Sequence, residues 1–215
     1  MSRNKGADGN YYSLIRYDIV ALVPKNARRI LECGCGRGLT GKELKKLLNC
    51  EITGIEIFEE AAKEAEKHLD KVLLGNIEEM NFNFKEKYFD SILFPDVLEH
   101  TKDPWAVLNH LKKYLSDDGI IIASIPNIQY LPALLKIING KFEYEESGVL
   151  DKTHLRFFTL HTIKKMFDDC GFSIKKIISK KGTNWKFQVL NTISFGLLSP
   201  YSIYQYLLVV TKRTD

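Results

Sequence analysis

The sequence predicts an α/β protein: a doubly wound, mostly parallel seven-stranded sheet with helices on both faces and one antiparallel strand near the C-terminus. Three observations predict it. Short apolar runs alternate with stretches of helical periodicity, which implies parallel strands joined by crossover helices. Residues 30–41, ILECGCGRGLTG, end an apolar run in Gly34, Gly36 and Gly38 and then open a helical pattern. Finally, the last two strand-like runs, Phe172–Ile178 and Tyr204–Thr211, have no clear crossover helix between them, so one should run antiparallel.

Each element has its own signal. Leu14, Ile15, Ile19, Leu22 and Val23 recur at helical spacing and stop at Pro24, predicting an N-terminal helix over 11–23. The first strand, about 28–33, leads through the glycines to a helix at 39–48. A strand at 51–55, a helix at 59–69 and a strand at 71–74 follow, and a loop holding Asn76 leads to a turn near Glu78. FDSILF, 89–94, reads as a buried strand, followed by DVLEH and a helix over 104–115 with proline at its start. Asp117, Asp118 and Gly119 make a turn into a strand ending at Ser124. Residues 128–158 form a long aromatic excursion, and Thr159 caps a helix ending at Gly171.

Bulk properties narrow the function. At 215 residues the chain favours one domain, 1–215. A net charge of +4 and a pI near 8.7 fall short of the basic face that nucleic acid needs, so no nucleic-acid partner is expected. Four cysteines, Cys33, Cys35, Cys50 and Cys170, show neither a disulfide framework nor zinc spacing. They suit a reducing cytoplasm. The polar start MSRNKGADGN has no apolar signal-peptide core. Phe187–Thr211 lacks charge, but Pro200 and scattered polar residues divide it into a helix-like half and a strand-like half. No transmembrane segment is expected there, while peripheral membrane contact stays open.

The glycine spacing separates nucleotide-binding types. It is neither the G-x-G-x-x-G of dinucleotide folds nor a P-loop, and Glu32 stands two positions ahead of Gly34. This E-x-G-x-G-x-G form resembles motif I of class I S-adenosylmethionine-dependent methyltransferases, whose fold is Rossmann-like. The resemblance implies S-adenosylmethionine as cofactor. Glu56, about 20 residues beyond the glycines, matches the acidic residue that holds the cofactor ribose, with Ile57 beside the adenine. The family often has an aspartate after strand three; here GNIE places Asn76 there, with Ile77 following, and the amide oxygen can still accept. PDVLEH resembles motif IV, where Asp96 would face the methionine portion. YYSLIRYDIVALVP, DPWAVL, SIPNI and LDKTHLRFFT look like a subgroup associated with microbial surface glycans or natural products.

The resemblance, which spans 11 to about 178, carries roles for other residues. Glu32 contacts the cofactor amino group, directly or indirectly; Cys35 is a small residue beside the ligand, without redox chemistry. Tyr12 and Arg16 belong either to an amphipathic helix or to a cofactor-covering segment that holds the carboxylate. His100 is a helix-start residue or a catalytic one. His154, between Asp151 and Arg156 in the substrate-side excursion, is a candidate base with Asp151 as its orienting acid, or part of a structural clasp. No metal site is assigned, although in methyltransferases of the ubiquinone pathway a similar acidic-histidine cluster is linked to a divalent ion.

Together these imply methyl transfer to a hydroxyl or amine of a small molecule or glycan. The alternatives are a non-catalytic S-adenosylmethionine-binding protein, an NAD-dependent enzyme, disfavoured by glycine spacing, and a nucleic-acid methyltransferase, disfavoured by modest charge and by the lack of an NPPY-like or proline-cysteine motif.

Overall fold

In the computed structural model, residues 14–182, 191–192 and 195–213 are described. One seven-stranded sheet organises them, in the order β3-β2-β1-β4-β5-β7-β6. The strands are β1 Arg29–Cys33, β2 Glu51–Glu56, β3 Lys71–Leu74, β4 Phe89–Pro95, β5 Leu115–Pro126, β6 Phe172–Lys181 and β7 Ile203–Lys212. β1 through β5 pair in parallel, and β7 lies antiparallel between β5 and β6. The expected single antiparallel member is thus β7.

Helices α1 Tyr17–Val20, α2 Leu39–Leu47, α3 Glu59–Ala65, α4 Pro104–Lys112, α5 Leu131–Ile138 and α6 Leu160–Asp169 complete the fold. Side-chain alternation along the strands splits the core in two. Leu31, Ile92, Phe94 and Ile121 pack with Leu108, Met166 and Phe167 from α4 and α6. Ile30, Ile52, Leu93 and Ile122 face the other way, with Ile19, Leu44 and Ala65 from α1 to α3. Capping fixes the helix starts: Asp103 accepts from the Ala106 N–H at 2.9 Å, and Thr159 and Thr162 form a reciprocal capping box.

Three boundaries differ from those predicted. The N-terminal helix shrinks to Tyr17–Val20, followed by turns up to Pro24, and residues 11–13 lie outside the described ones. α4 stops at Lys112, and β5 begins at Leu115, which pairs with Phe89 across a register shift that absorbs Asp117 and Asp118. Of the helix-like half of 187–211, residues 187–190 and 193–194 fall outside the described residues and 195–198 form turns; the strand-like half is β7. No helix among the described residues is long and apolar enough to cross a membrane.

The strand order reverses between β1 and β4: the chain winds outward through β2 and β3, then returns to β4 on the other side of β1. A crevice therefore opens at the carboxyl ends of these two strands, the general ligand position in such sheets.

Candidate active site at the carboxyl edge

The crevice is walled on one side by the loop after β1. Gly34, Gly36 and Gly38 all have positive φ, at 65°, 54° and 75°. A Cβ on Gly38 would lie 3.0 Å from the Ala65 backbone of α3, so glycine alone lets α2 start against that helix. The Gly36 N–H donates to Glu56 Oε2 at 2.8 Å. Glu56 Oε1 accepts from the Ile57 and Phe58 N–H groups at 2.9 and 3.0 Å. The carboxylate thus clasps the glycine loop to the end of β2, and a lone pair on Oε2 is left for a ligand hydroxyl.

Glu32, the last residue but one of β1, is almost wholly buried, 1% exposed, and its Oε2 has no hydrogen-bond partner. Burial pushes its carboxyl up to about 8; the Gly41 N–H opposes this and the nearby Glu56 adds to it. Cys35 turns into the core instead of the crevice: its Sγ lies 2.5 Å from where a Gly54 Cβ would stand, and burial pushes the thiol up. A ligand would meet Cys35 only through its backbone. Ile57 and Leu74, each more than half exposed, form an apolar rim beyond β2 and β3. Asn76 is engaged locally, accepting from the Glu78 N–H at 3.0 Å and donating to Glu79 at 3.1 Å. Ile77 packs against the core. Tyr12 lies outside the described residues.

Across the crevice, Asp96 follows β4 with φ at 55°, a conformation non-glycine residues seldom adopt. Its side chain is held from three elements: Arg16 pairs with Oδ2, while Ser124 Oγ and Gln205 Nε2 donate to Oδ1 at 2.7 and 2.6 Å. Arg16 also donates to Asp18 and to Ser124 Oγ, and Lys180 pairs with Asp18. Ser124 and Gln205 went unnoticed in the sequence. They meet Asp96 only because β5 and β7 pair antiparallel, with Ser124 opposite Leu207 and Pro126 opposite Gln205.

Beyond Asp96 a cavity of about 320 Å³ lies between α5, the loop 145–154 and the start of β7. His154 is buried in its wall. Its Nδ1 lies 3.2 Å from the Val149 carbonyl, which can only accept, so Nδ1 carries the proton and Nε2 the lone pair. Burial, then the neighbouring His100, push this imidazole below its ordinary value. Asp151 is not the ring's orienting partner: its Oδ1 accepts from the Thr153 N–H and hydroxyl at 2.8 and 2.6 Å, which shapes the loop. His100 stacks edge-on to His154 at 4.8 Å and reaches Thr153 through Nδ1. Glu99, His100 and His154 bring ligand atoms within 4.8 Å of one another, a set that could hold a metal ion.

The donors and acceptors suit the cofactor that the glycine motif implies. Glu32 Oε2 is an orphaned buried acceptor, three glycines with positive φ bare the loop backbone, and Glu56 keeps a free lone pair beside an apolar rim.

Comparison with known proteins agrees. Residues 10–177 match the Methyltransferase domain family. An uncharacterized protein of Methanocaldococcus jannaschii is 33% identical over 200 residues, 85% of this chain and 75% of that one. The ubiquinone biosynthesis O-methyltransferase of Psychrobacter arcticus is 26% identical over 70% of this chain, and the mitochondrial one of Bos taurus is 26% identical over 72%. The chain spans only 61% and 44% of those two enzymes. Among solved structures, a SAM-dependent methyltransferase from Archaeoglobus fulgidus superposes with a TM-score of 0.67 at 22% identity over 87% of both chains. One from Methanosarcina mazei gives 0.67 at 16% identity, over 94% of this chain and 100% of that one. The structural likenesses carry the fold and the sequence match carries the family: the chain belongs to the Methyltransferase domain family and is a class I S-adenosylmethionine-dependent methyltransferase.

Proposed function

We propose that the chain methylates a hydroxyl or amine of a small-molecule or glycan acceptor seated in the cavity beyond Asp96, with His154 as general base. One observation carries this reading. The cavity runs from Asp96, at the mouth of the cofactor crevice, to a buried imidazole whose Nε2 is unprotonated. The ubiquinone biosynthesis O-methyltransferases among the relatives support a small-molecule hydroxyl, and the DKTHLRFF segment supports the glycan-associated subgroup.

Glu32, the 34–38 backbone, Glu56, Ile57, Asn76, Ile77, Arg16 and Asp96 would hold the cofactor. When bound, it supplies a methyl group already activated on a sulfonium. What remains for the protein is alignment, exclusion of water and removal of a proton. Arg16, Ser124 and Gln205 fix Asp96 and with it the junction between crevice and cavity. His154, kept neutral by burial and by His100, takes the acceptor proton at Nε2. His100 supports the ring by packing, and Asp151 by holding the turn that precedes it.

The test is His154→Ala, with turnover read as S-adenosylhomocysteine release against a metabolite extract. Loss of a general base should lower turnover roughly 100-fold to 10,000-fold. S-adenosylhomocysteine affinity should be unchanged. Full turnover in the variant removes the base role.

A further inference from the structure

Glu99 is a buried acid in the cavity wall that no part of the protein answers. Its backbone is fixed, because its carbonyl accepts from the Leu155 and Arg156 N–H groups at 2.8 and 3.0 Å. That ties the turn at Leu98–His100 to the loop bearing His154. The side chain is 1% exposed, lines the cavity, and has no hydrogen-bond partner on either oxygen. A buried carboxylate left so is costly, and such groups call for a specific explanation.

The other acidic groups around the cavity have partners within the protein. Arg16, Ser124 and Gln205 engage Asp96, Thr153 engages Asp151, and Lys136 pairs with Glu145. Lys136 is the cationic side chain in the lining, and Glu145 already takes it. What the cavity offers a ligand is therefore one acid with no partner on either oxygen, with the rings of Tyr130 and Tyr204 in the same lining, 6.1 Å apart.

We propose that the acceptor is a cationic amine, its ammonium anchored by Glu99 and flanked by Tyr130 and Tyr204, and that carboxylate- or phosphate-bearing acceptors are excluded. This rests on the cavity being the acceptor site, as proposed above, and narrows hydroxyl or amine to amine. The discriminating argument is the number of donors. A hydroxyl donates one hydrogen bond and leaves the second oxygen of the buried acid unanswered, whereas an ammonium brings three donors, enough for both, and a charge that favours the ionised form. Aromatic walls favour a cation further. His154, in the same wall, takes the proton that the ammonium must shed before its nitrogen can react.

The experiment uses the full chain saturated with S-adenosylhomocysteine and measures melting shifts with probes of two sizes, so that steric misfit cannot imitate failure. Methylammonium is compared with methanol and acetate, and phenethylamine with 2-phenylethanol and phenylacetate, at matched ionic strength. A cation at about ten times its Kd should raise the melting temperature by about 3–6 °C. The neutral and anionic counterparts should not, and Glu99→Gln should erase the difference while S-adenosylhomocysteine still binds. The proposal is overturned if neither cation gives a Glu99-dependent shift or if the alcohols or anions match the amines. It is also overturned if Mg²⁺ or Mn²⁺ gives the Glu99-dependent shift and displaces the amine, because the carboxylate would then belong to a metal. Loss of S-adenosylhomocysteine binding to the parent protein would instead undo the cofactor site itself.

Discussion

Glu32→Gln should make the protein more stable at alkaline pH while weakening its hold on the cofactor. The side chain is 1% exposed with one orphaned oxygen, and burial pushes its carboxyl from the ordinary 4.5 up to about 8. A raised folded-state value means that the folded protein keeps a proton the unfolded chain has released. The contribution is therefore fully present below pH 4.5 and is lost as pH rises through about 8. At 1.36 kcal/mol per pH unit, the interval from 4.5 to 8 gives a ceiling of about 5 kcal/mol. Glutamine keeps the shape and removes the titration. Urea unfolding without added cofactor, from pH 5 to 8.5, should show the parent losing stability relative to the variant across that window. If Glu32 holds the cofactor as proposed, added S-adenosylhomocysteine should shrink the gap, because its amino group would compensate the carboxylate. Parallel curves, or a parent that gains on the variant as pH rises, would refute the buried-acid account of Glu32.

Other perturbations test the glycine loop and the Arg16–Asp18–Lys180 network separately. Gly38→Ala forces a side chain into φ of 75° and against the Ala65 backbone, and should cost about 1–3 kcal/mol in chemical denaturation. Asp18 is opposed by burial, yet hydrogen bonds from Arg16 and Lys180 hold its carboxyl at about 2, below the ordinary 3.8. This lowered value gives stability that is present above pH 3.8 and lost as pH falls through about 2, worth ~1–2 kcal/mol at a partly exposed site. Asp18→Asn should accordingly flatten the acid limb of the stability curve, and an unchanged limb would show that the Arg16–Asp18–Lys180 network does not set acid stability.

Local chemistry made most of the fold legible. Glycines at alternate positions, buried runs such as FDSILF and proline at a helix start each fix backbone conformation within a few residues, so strand and helix order could be read directly. The start of β5 could not, because Leu115 joins the sheet by pairing with Phe89 across a bulge while Asp117 and Asp118 beside it look like a turn. The site divides in the same way. Gly34 to Gly38, Glu32 and Glu56 carry local signals, whereas Ser124 and Gln205 matter only through Asp96, from which they are 28 and 109 positions away. His154 was visible as a residue type, but its orienting group is the Val149 carbonyl, and a backbone acceptor leaves no trace in the sequence.

The uncompensated polar groups are not spread evenly. Of the five buried side-chain atoms without a partner among the described residues, three belong to Glu32 and Glu99 at the carboxyl edge of the sheet, near Asp96, itself in a left-handed conformation; the others are the neutral groups Ser91 Oγ in β4 and His110 Nε2 in α4. The unpartnered acids are thus confined to that edge, while Ile30, Leu31, Ile92, Leu93, Ile121 and Ile122 fill the layers above and below the sheet. Buried carboxylates without partners lower stability, and they stand where two ligands would meet them. Stability and function are therefore opposed at Glu32 and Glu99 in particular. Amide substitutions there should raise the melting temperature of the ligand-free protein, and each should weaken a different ligand: the cofactor product for Glu32→Gln, the amine probe for Glu99→Gln. If both variants lost the same ligand, crevice and cavity would be one site, and the division of labour at Asp96 would be wrong.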